Sequence, residues 1–258
     1  MSKYVAGKVH LVVPMLLAFS IAACSGNASQ GESAVVNYPV KWTDEFSMSN
    51  LVEGEPSISS QEDLRNLLGR PWYASIDVIK GDARAPEAIA SCNDYFSVKG
   101  ENLRVSRGQE SSAFLELVVM CESTRLFVEA TASAQSAIPA QPLTEELPER
   151  LPKSLALITS ESEAQRIMTD PAISSWGDVN DITKMDRMSE HRVVYHLDSG
   201  QQTLSIHGRG DFNGDGDEDV LVSVQDTVEG GSYYDLRLFV LSVTESGEWV
   251  VDGQYPSR

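Results

Sequence analysis

One stretch of this chain has the residue types and spacing of a metal-binding loop. Asp211-Phe212-Asn213-Gly214-Asp215-Gly216-Asp217-Glu218-Asp219 alternates short oxygen-bearing side chains with glycine. Calcium is a hard cation that takes six to eight oxygen ligands at about 2.3–2.6 Å. Side chains at the first, third, fifth and ninth positions, Asp211, Asn213, Asp215 and Asp219, can supply four of them. Asp217, at the seventh, can add its backbone carbonyl. Gly214 and Gly216 permit the positive φ that wraps backbone around an ion. Three carboxylates exceed the charge of one divalent cation, so they repel one another without it. Metal binding and loop order are therefore expected to be coupled. The twelfth position, where an EF-hand places a bidentate Glu, is Val222, so this is not an EF-hand. The missing ligand points to a dissociation constant of about 10⁻⁴–10⁻³ M. The competing reading is an Asn/Asp/Gly turn that holds no metal. Arg209-Gly210-Asp211 is also an integrin-type tripeptide. Asp211 is better used as a metal ligand, which makes the tripeptide a coincidence.

Other chemistry is thin. His191, His196 and His207 lie in the carboxy-terminal half. They lack the convergent partners and spacing of a zinc site and read as ordinary hydrogen-bonded or surface histidines. The sequence contains no His-Glu-x-x-His, no Gly-x-Ser-x-Gly, no P-loop and no dinucleotide fingerprint. Carboxylates are so abundant that acid–base catalysis cannot be localised by spacing. Tyr233, Tyr234 and Trp249 have the chemistry of contact residues, although sheet packing is the commoner use of aromatics on strands.

The loop's flanks, Thr203–His207 and Asp219–Val224, alternate in the manner of strands. Gly210–Val220 thus resembles the strand–loop–strand calcium site of the FG-GAP/VCBS repeat family, over about residues 203–225. The resemblance implies calcium at Asp211, Asn213, Asp215, Asp217 and Asp219. In that family repeated copies build propeller blades. One copy cannot close a propeller, so the loop carries over and the fold does not. Gly210–Val220 followed by Gly230–Val240 also resembles a group of proteobacterial lipoproteins, over about residues 190–250. That likeness implies an envelope location and no known reaction.

The first residues agree with it. Lys3 and Lys8 precede an apolar run from Leu11 to Ala23, too short to span a bilayer but suited to a signal-peptide core. Ile21-Ala22-Ala23-Cys24 resembles a bacterial lipobox, which makes Cys24 the expected lipidated residue and first mature residue. Ser25 in place of Asp favours the outer membrane if the source is Gram-negative. Residues 24–37 read as a flexible tether. Removing residues 1–23, which carry two lysines and no acid, takes the formal charge from −18 to −20. A surface this acidic repels nucleic acid and anionic head groups.

Cys92 and Cys121 are the two cysteines left, and an even pair in an exported chain reads as a disulfide. Closing about 30 residues is worth ~3–4 kcal/mol in the chain-entropy model. The spacing predicts helices after a Ser59-x-x-Glu62 capping box, from Pro86 through Phe96, and from about Ser111 to Ala130. Cys92 and Cys121 lie on apolar stripes of the last two, so the bond would tie those helices together. A further helix follows the Ser160-x-x-Glu163 box. Residues 132–152, rich in Pro, Ala, Ser and Glu, read as a linker or irregular crossing segment, with a domain boundary there. From Arg192 five strands with short turns imply an antiparallel meander. Residues 172–190 show no assignable pattern.

The expected fold class is α+β: a disulfide-tied helical region over 38–131, then a sheet region over 153–258 with the calcium-type loop. The functional expectation is a lipid-anchored envelope protein, a calcium-stabilised structural or interaction module whose partner is another envelope protein or a glycan. The alternative is an envelope hydrolase that uses acidic residues and a supporting calcium ion.

Overall fold

The structure is a computed structural model that describes residues 37–47, 52, 54, 56–100 and 102–256. The leader, Cys24 and all of the tether except Asn37 lie outside the described residues. Elements in chain order are β1 (Lys41–Trp42), α1 (Gln61–Leu67), β2 (Ile76–Lys80), β3 (Glu87–Ile89), α2 (Cys92–Val98), β4 (Leu103–Val105) and α3 (Ser111–Glu129). They continue with α4 (Glu161–Thr169), β5 (Ile182–Arg187), β6 (Arg192–Leu197), β7 (Gly200–Gly210), β8 (Asp219–Val228), β9 (Tyr234–Val243) and β10 (Trp249–Tyr255). The described residues all belong to one unit.

The main sheet is an antiparallel meander in the order β10-β9-β8-β7-β6-β5. β7 outruns β6. Its pairing with β6 ends at Ser205, opposite Arg192, and β1 then pairs with Gly208 and Arg209. A bulge between Ile206 and Gly208 marks the handover on the β8 side. The central strands are apolar on both faces because both are covered. Every residue from Asp219 to Val224 in β8 is buried. Successive side chains alternate between the faces, and they divide into two cores. Leu221, Leu236, Leu238 and Val240 face α3, where Val118, Leu126 and Phe127 meet them. Val222, Val224, Phe239 and Leu241 face the other way, onto Leu143, Leu147, Leu151, Leu155 and Trp176.

The first part of that second layer is residues 132–152, read from sequence as a linker or crossing segment. The layer crosses the sheet in two short 3₁₀ turns, Leu147–Glu149 and Lys153–Leu155. Leu143, Leu147, Leu151 and Leu155 recur every fourth residue and are all buried. The prolines obscured this periodicity.

The amino-terminal region is more mixed than a helical reading allows, since β2, β3 and β4 form a small sheet in the order β3-β2-β4. The helix predicted from Pro86 begins only at Cys92, with Ser91 as its cap, and Ile89 belongs to β3. The first capping box is shifted by one: Ser60 accepts the Asp63 N–H, and Asp63 accepts the Ser59 N–H in return. Ser160 caps α4 as expected. α3 matches its predicted range, and Cys92 and Cys121 form the disulfide between α2 and α3, Cα–Cα 5.3 Å. β5 lies in the stretch left unassigned, where alternating Lys184, Met185 and Asp186 carry no apolar signature because it is an edge strand.

Candidate metal site

The loop joins two core strands directly, since Gly210 ends β7 opposite Asp219 at the start of β8. Gly214 and Gly216 hold φ of 85° and 90°, the conformation their lack of Cβ permits. Asp211 and Asp219 are buried, whereas Asn213 and Asp215 are exposed.

The carboxylates organise the loop through backbone amides. Asp211 Oδ1 accepts from Gly214 N and Oδ2 from Gly216 N at 3.1 Å. Asp219 Oδ2 accepts from Phe212 N at 2.9 Å and Asn213 N at 3.2 Å. Asp215 Oδ1 accepts from Asp217 N at 2.8 Å. Asn213 Nδ2 lies 3.0 Å from Asp215 Oδ2 and 3.5 Å from Asp219 Oδ1. The structure thus brings Asn213, Asp215 and Asp219 to one place. Asp217 turns its carboxylate to Gln135 Nε2 at 2.5 Å, which is compatible with offering a cation only its carbonyl. Among the described residues no three His, Cys, Asp or Glu side chains surround a common point as metal ligands would. Ligation by this loop therefore requires side chains to rotate, Asn213 first, because its nitrogen rather than its oxygen faces the two carboxylates.

The donor set nonetheless suits a hard cation. It consists of oxygens, and each carboxylate oxygen has a second lone pair beyond its amide contact. Asp219 also has no cationic partner among the described residues. Burial pushes its carboxyl up to about 7, and the charges of Asp215 and Asp252 add to this, while the Phe212 and Asn213 amides oppose it.

The loop is held by a segment distant in sequence. Residues 131–136, just past α3, run beside it. Thr131 and Asp211 exchange backbone hydrogen bonds at 3.1 and 3.0 Å, and Thr131 Oγ1 donates to Asp211 Oδ2 at 3.1 Å. Ala134 N donates to Gly216 O and Glu218 N to Gln135 O. Ser136 Oγ donates to Glu218 Oε2 at 2.6 Å. The alternation Thr131-Ala-Ser133-Ala-Gln135 is a strand-like signal that composition alone hid. Arg209 donates to the Pro139 carbonyl at 2.9 Å and lies 3.6 Å from Glu218, while Asp211 is buried. The Arg-Gly-Asp tripeptide is therefore not displayed as a motif.

The three histidines each have a protein partner: His191 with Asp44 at 3.1 Å, His196 with Asp186 at 2.9 Å and His207 with Ser223 at 2.8 Å. Trp249 is buried, Tyr233 donates to the Ile158 carbonyl, and Tyr234 to Glu116. Comparison of the chain with protein-family models, with curated proteins and with solved structures finds no match.

Proposed function

We propose that this chain is a lipid-anchored protein of the cell envelope, held at Cys24, whose β7–β8 loop binds calcium through Asp211, Asn213, Asp215, Asp219 and the Asp217 carbonyl. Calcium there is structural: it fixes the junction of two core strands and the 131–136 segment against them. The folded sheet then serves as a structural or interaction module, with another envelope protein or a glycan as partner. In a Gram-negative source the outer membrane is the favoured site.

One observation carries the calcium reading. Two carboxylates, Asp211 and Asp219, are buried at the ends of core strands, with Asp215 beside one of them and backbone amides rather than cationic side chains around them. Buried charge without a counter-charge is costly, and a divalent cation supplies what the chain does not. The hydrolase alternative finds less support. Among the described residues the large cleft beside α2 and α3 is lined by a single carboxylate, Glu122, whereas glycoside hydrolysis uses a flanking pair.

The test is thermal melting of wild type and Asp215→Ala, each with calcium and with chelator. Calcium at tenfold its dissociation constant stabilises a folded state by about 1.4 kcal/mol, or about 3–5 °C for a chain of this size. The shift is expected in wild type and not in Asp215→Ala. Equal melting temperatures in all four samples would remove calcium from the proposal. The anchor is tested separately, by incorporation of labelled palmitate that is lost in Cys24→Ala.

A further inference from the structure

A cleft of about 750 Å³ opens between α2, α3 and the end of β10, with Tyr95, Lys99, Phe114, Glu122 and Tyr255 among its lining. It shares no residue with the 211–219 loop. Its floor is a buried carboxylate with more cation than it needs. Glu122 Oε1 accepts from the Tyr95 hydroxyl at 3.0 Å and from Lys99 Nζ at 3.0 Å, and Oε2 accepts from Arg125 Nε at 2.9 Å. Arg125 alone would neutralise it. Arg125 also meets Glu129, but that carboxylate is mostly exposed, and such solvated pairs contribute little.

Lys99 is therefore a second cation on a carboxylate that already has one. Its side chain is 38 % exposed. An ammonium has three N–H groups, and among the described residues one of them is used, on Glu122. That bond and the Phe96 ring, 4.9 Å away, fix the ammonium at the cleft while leaving it donors to give. The walls are aromatic. The rings of Tyr95 and Phe114 stand edge to face at 6.4 Å, and Tyr255 is held under the Arg125 guanidinium at 5.6 Å. A pre-positioned ammonium beside aromatic faces is suited to an acid attached to a flat or apolar body. The chain's net charge of −18 repels anions at long range, but salt screens that field beyond about 8 Å. The contact with Lys99 is then the deciding interaction.

We infer that this cleft binds a small carboxylate-bearing molecule, with its acid on the Lys99 ammonium and its ring or apolar body against Phe114 and Tyr255. The inference goes beyond the calcium reading and does not depend on it. A sugar acid and an aromatic acid share this chemistry, and the experiment separates them.

The experiment is calorimetric titration of the full chain with D-glucuronate and with benzoate, each beside its neutral counterpart, D-glucose and benzyl alcohol. Ligands of about a dozen heavy atoms are expected near 1 mM, on the order of what their size allows. At least one acid should bind, about tenfold or more tighter than its neutral counterpart. Lys99→Gln should weaken that binding about tenfold, Lys99→Arg should retain it, and Lys184→Gln, on the far edge strand, should leave it unchanged. Tyr255→Ala should weaken it without removing any Glu122 partner, so the inference remains testable if Lys99→Gln fails to melt cooperatively. Repeating the titration with chelator should give the same affinity, which separates this site from the calcium loop. Absence of binding by both acids, equal binding of a neutral counterpart, or affinity unchanged in a folded Lys99→Gln or Tyr255→Ala chain would overturn it.

Discussion

His207 shows how one side chain can make this fold sensitive to acid. It is on β7, buried, with Nε2 on the Ser223 hydroxyl at 2.8 Å and no partner at Nδ1. The Phe46 ring stands edge to face with it at 6.3 Å. Burial alone pulls its pKa down to about 4, against about 6.5 in an unfolded chain. The folded state therefore binds fewer protons than the unfolded state between those values. Stability from the neutral imidazole is fully present above pH 6.5 and is lost as pH falls toward 4. The full difference is about 3 kcal/mol. Urea unfolding of wild type and His207→Gln at intervals from pH 7 to pH 4 checks it: the stability gap between them should narrow by about that amount as pH falls. Parallel curves would show that His207 is not the titrating group. The conformation of the 211–219 loop, by contrast, was legible in the sequence, because turn chemistry is a local property. Asp211, Asn213, Asp215, Asp217 and Asp219 lie on one short turn, and both glycines have the positive φ expected of them. The segment that braces the loop was not legible, since Thr131 is 80 residues from Asp211. Nothing in either stretch announces a pairing across such a distance.

At the scale of elements, the helices with strong caps and the strands with clear alternation could be read, and the rest failed for identifiable reasons. α3 was found because apolar residues recur through 19 residues that contain no proline or glycine. β2–β4 were missed or blurred because three-to-five-residue strands leave too little period to detect. β1 is the extreme case, with two residues, Lys41 and Trp42, that exist as a strand only because β7 extends past β6. Their seating depends on Gly208. A Cβ there would come 2.2 Å from the Lys41 carbonyl oxygen and 2.6 Å from the Phe127 ring. Neither can yield easily, since one is paired backbone and the other is wholly buried between sheet and α3. Gly208→Ala should therefore cost about 1–3 kcal/mol in urea unfolding, the range for overpacked sites. Hydrogen exchange should report the loss first at residues 41–43. An unchanged stability would mean that β1 is free to shift away from β7, and that its pairing contributes little.

For the molecule as a whole, the question is how two dissimilar layers are fixed to one sheet. The α3 side is helical, apolar and linked by disulfide to α2. The other side is a proline-rich crossing with few regular hydrogen bonds of its own, and a polar clamp fixes it. Arg237 on β9 donates to the carbonyls of Ser154 at 2.7 Å, Leu155 at 3.1 Å and Ala156 at 3.2 Å. It also pairs with Asp226 on β8 at 2.8 Å. Gln202 on β7 donates to Asp226 at 2.8 Å and to Leu155 O at 2.9 Å. Three adjacent strands thus build one clamp, in which Arg237 holds all three carbonyls, Gln202 holds that of Leu155 and Asp226 links the two donors, with all three side chains buried. Burial pushes the Asp226 carboxyl up to about 6, against the pull of the Arg237 guanidinium. Removing Arg237 takes the guanidinium from two buried carboxylates, Asp226 at 2.8 Å and Asp235 at 3.3 Å, which costs about 3–5 kcal/mol, whereas removing Asp226 leaves Arg237 its contact with Asp235. Arg237→Met strips the three carbonyls as well, so it should be the worse of the two single changes. Asp226→Leu combined with Arg237→Met removes both charges of this pair, and only the buried Asp235, 3.3 Å from the Arg237 Nε in wild type, then loses an ion-pair contact. Its loss should fall short of the summed single losses by about 1–3 kcal/mol, the range for residues in direct contact. Urea unfolding of the four chains measures that coupling. Hydrogen exchange across residues 143–158 shows whether the crossing segment loosens before the sheet does. Additive losses would mean that the ion pair does not act as a unit and that apolar burial of Leu143, Leu147, Leu151 and Leu155 alone holds the second layer.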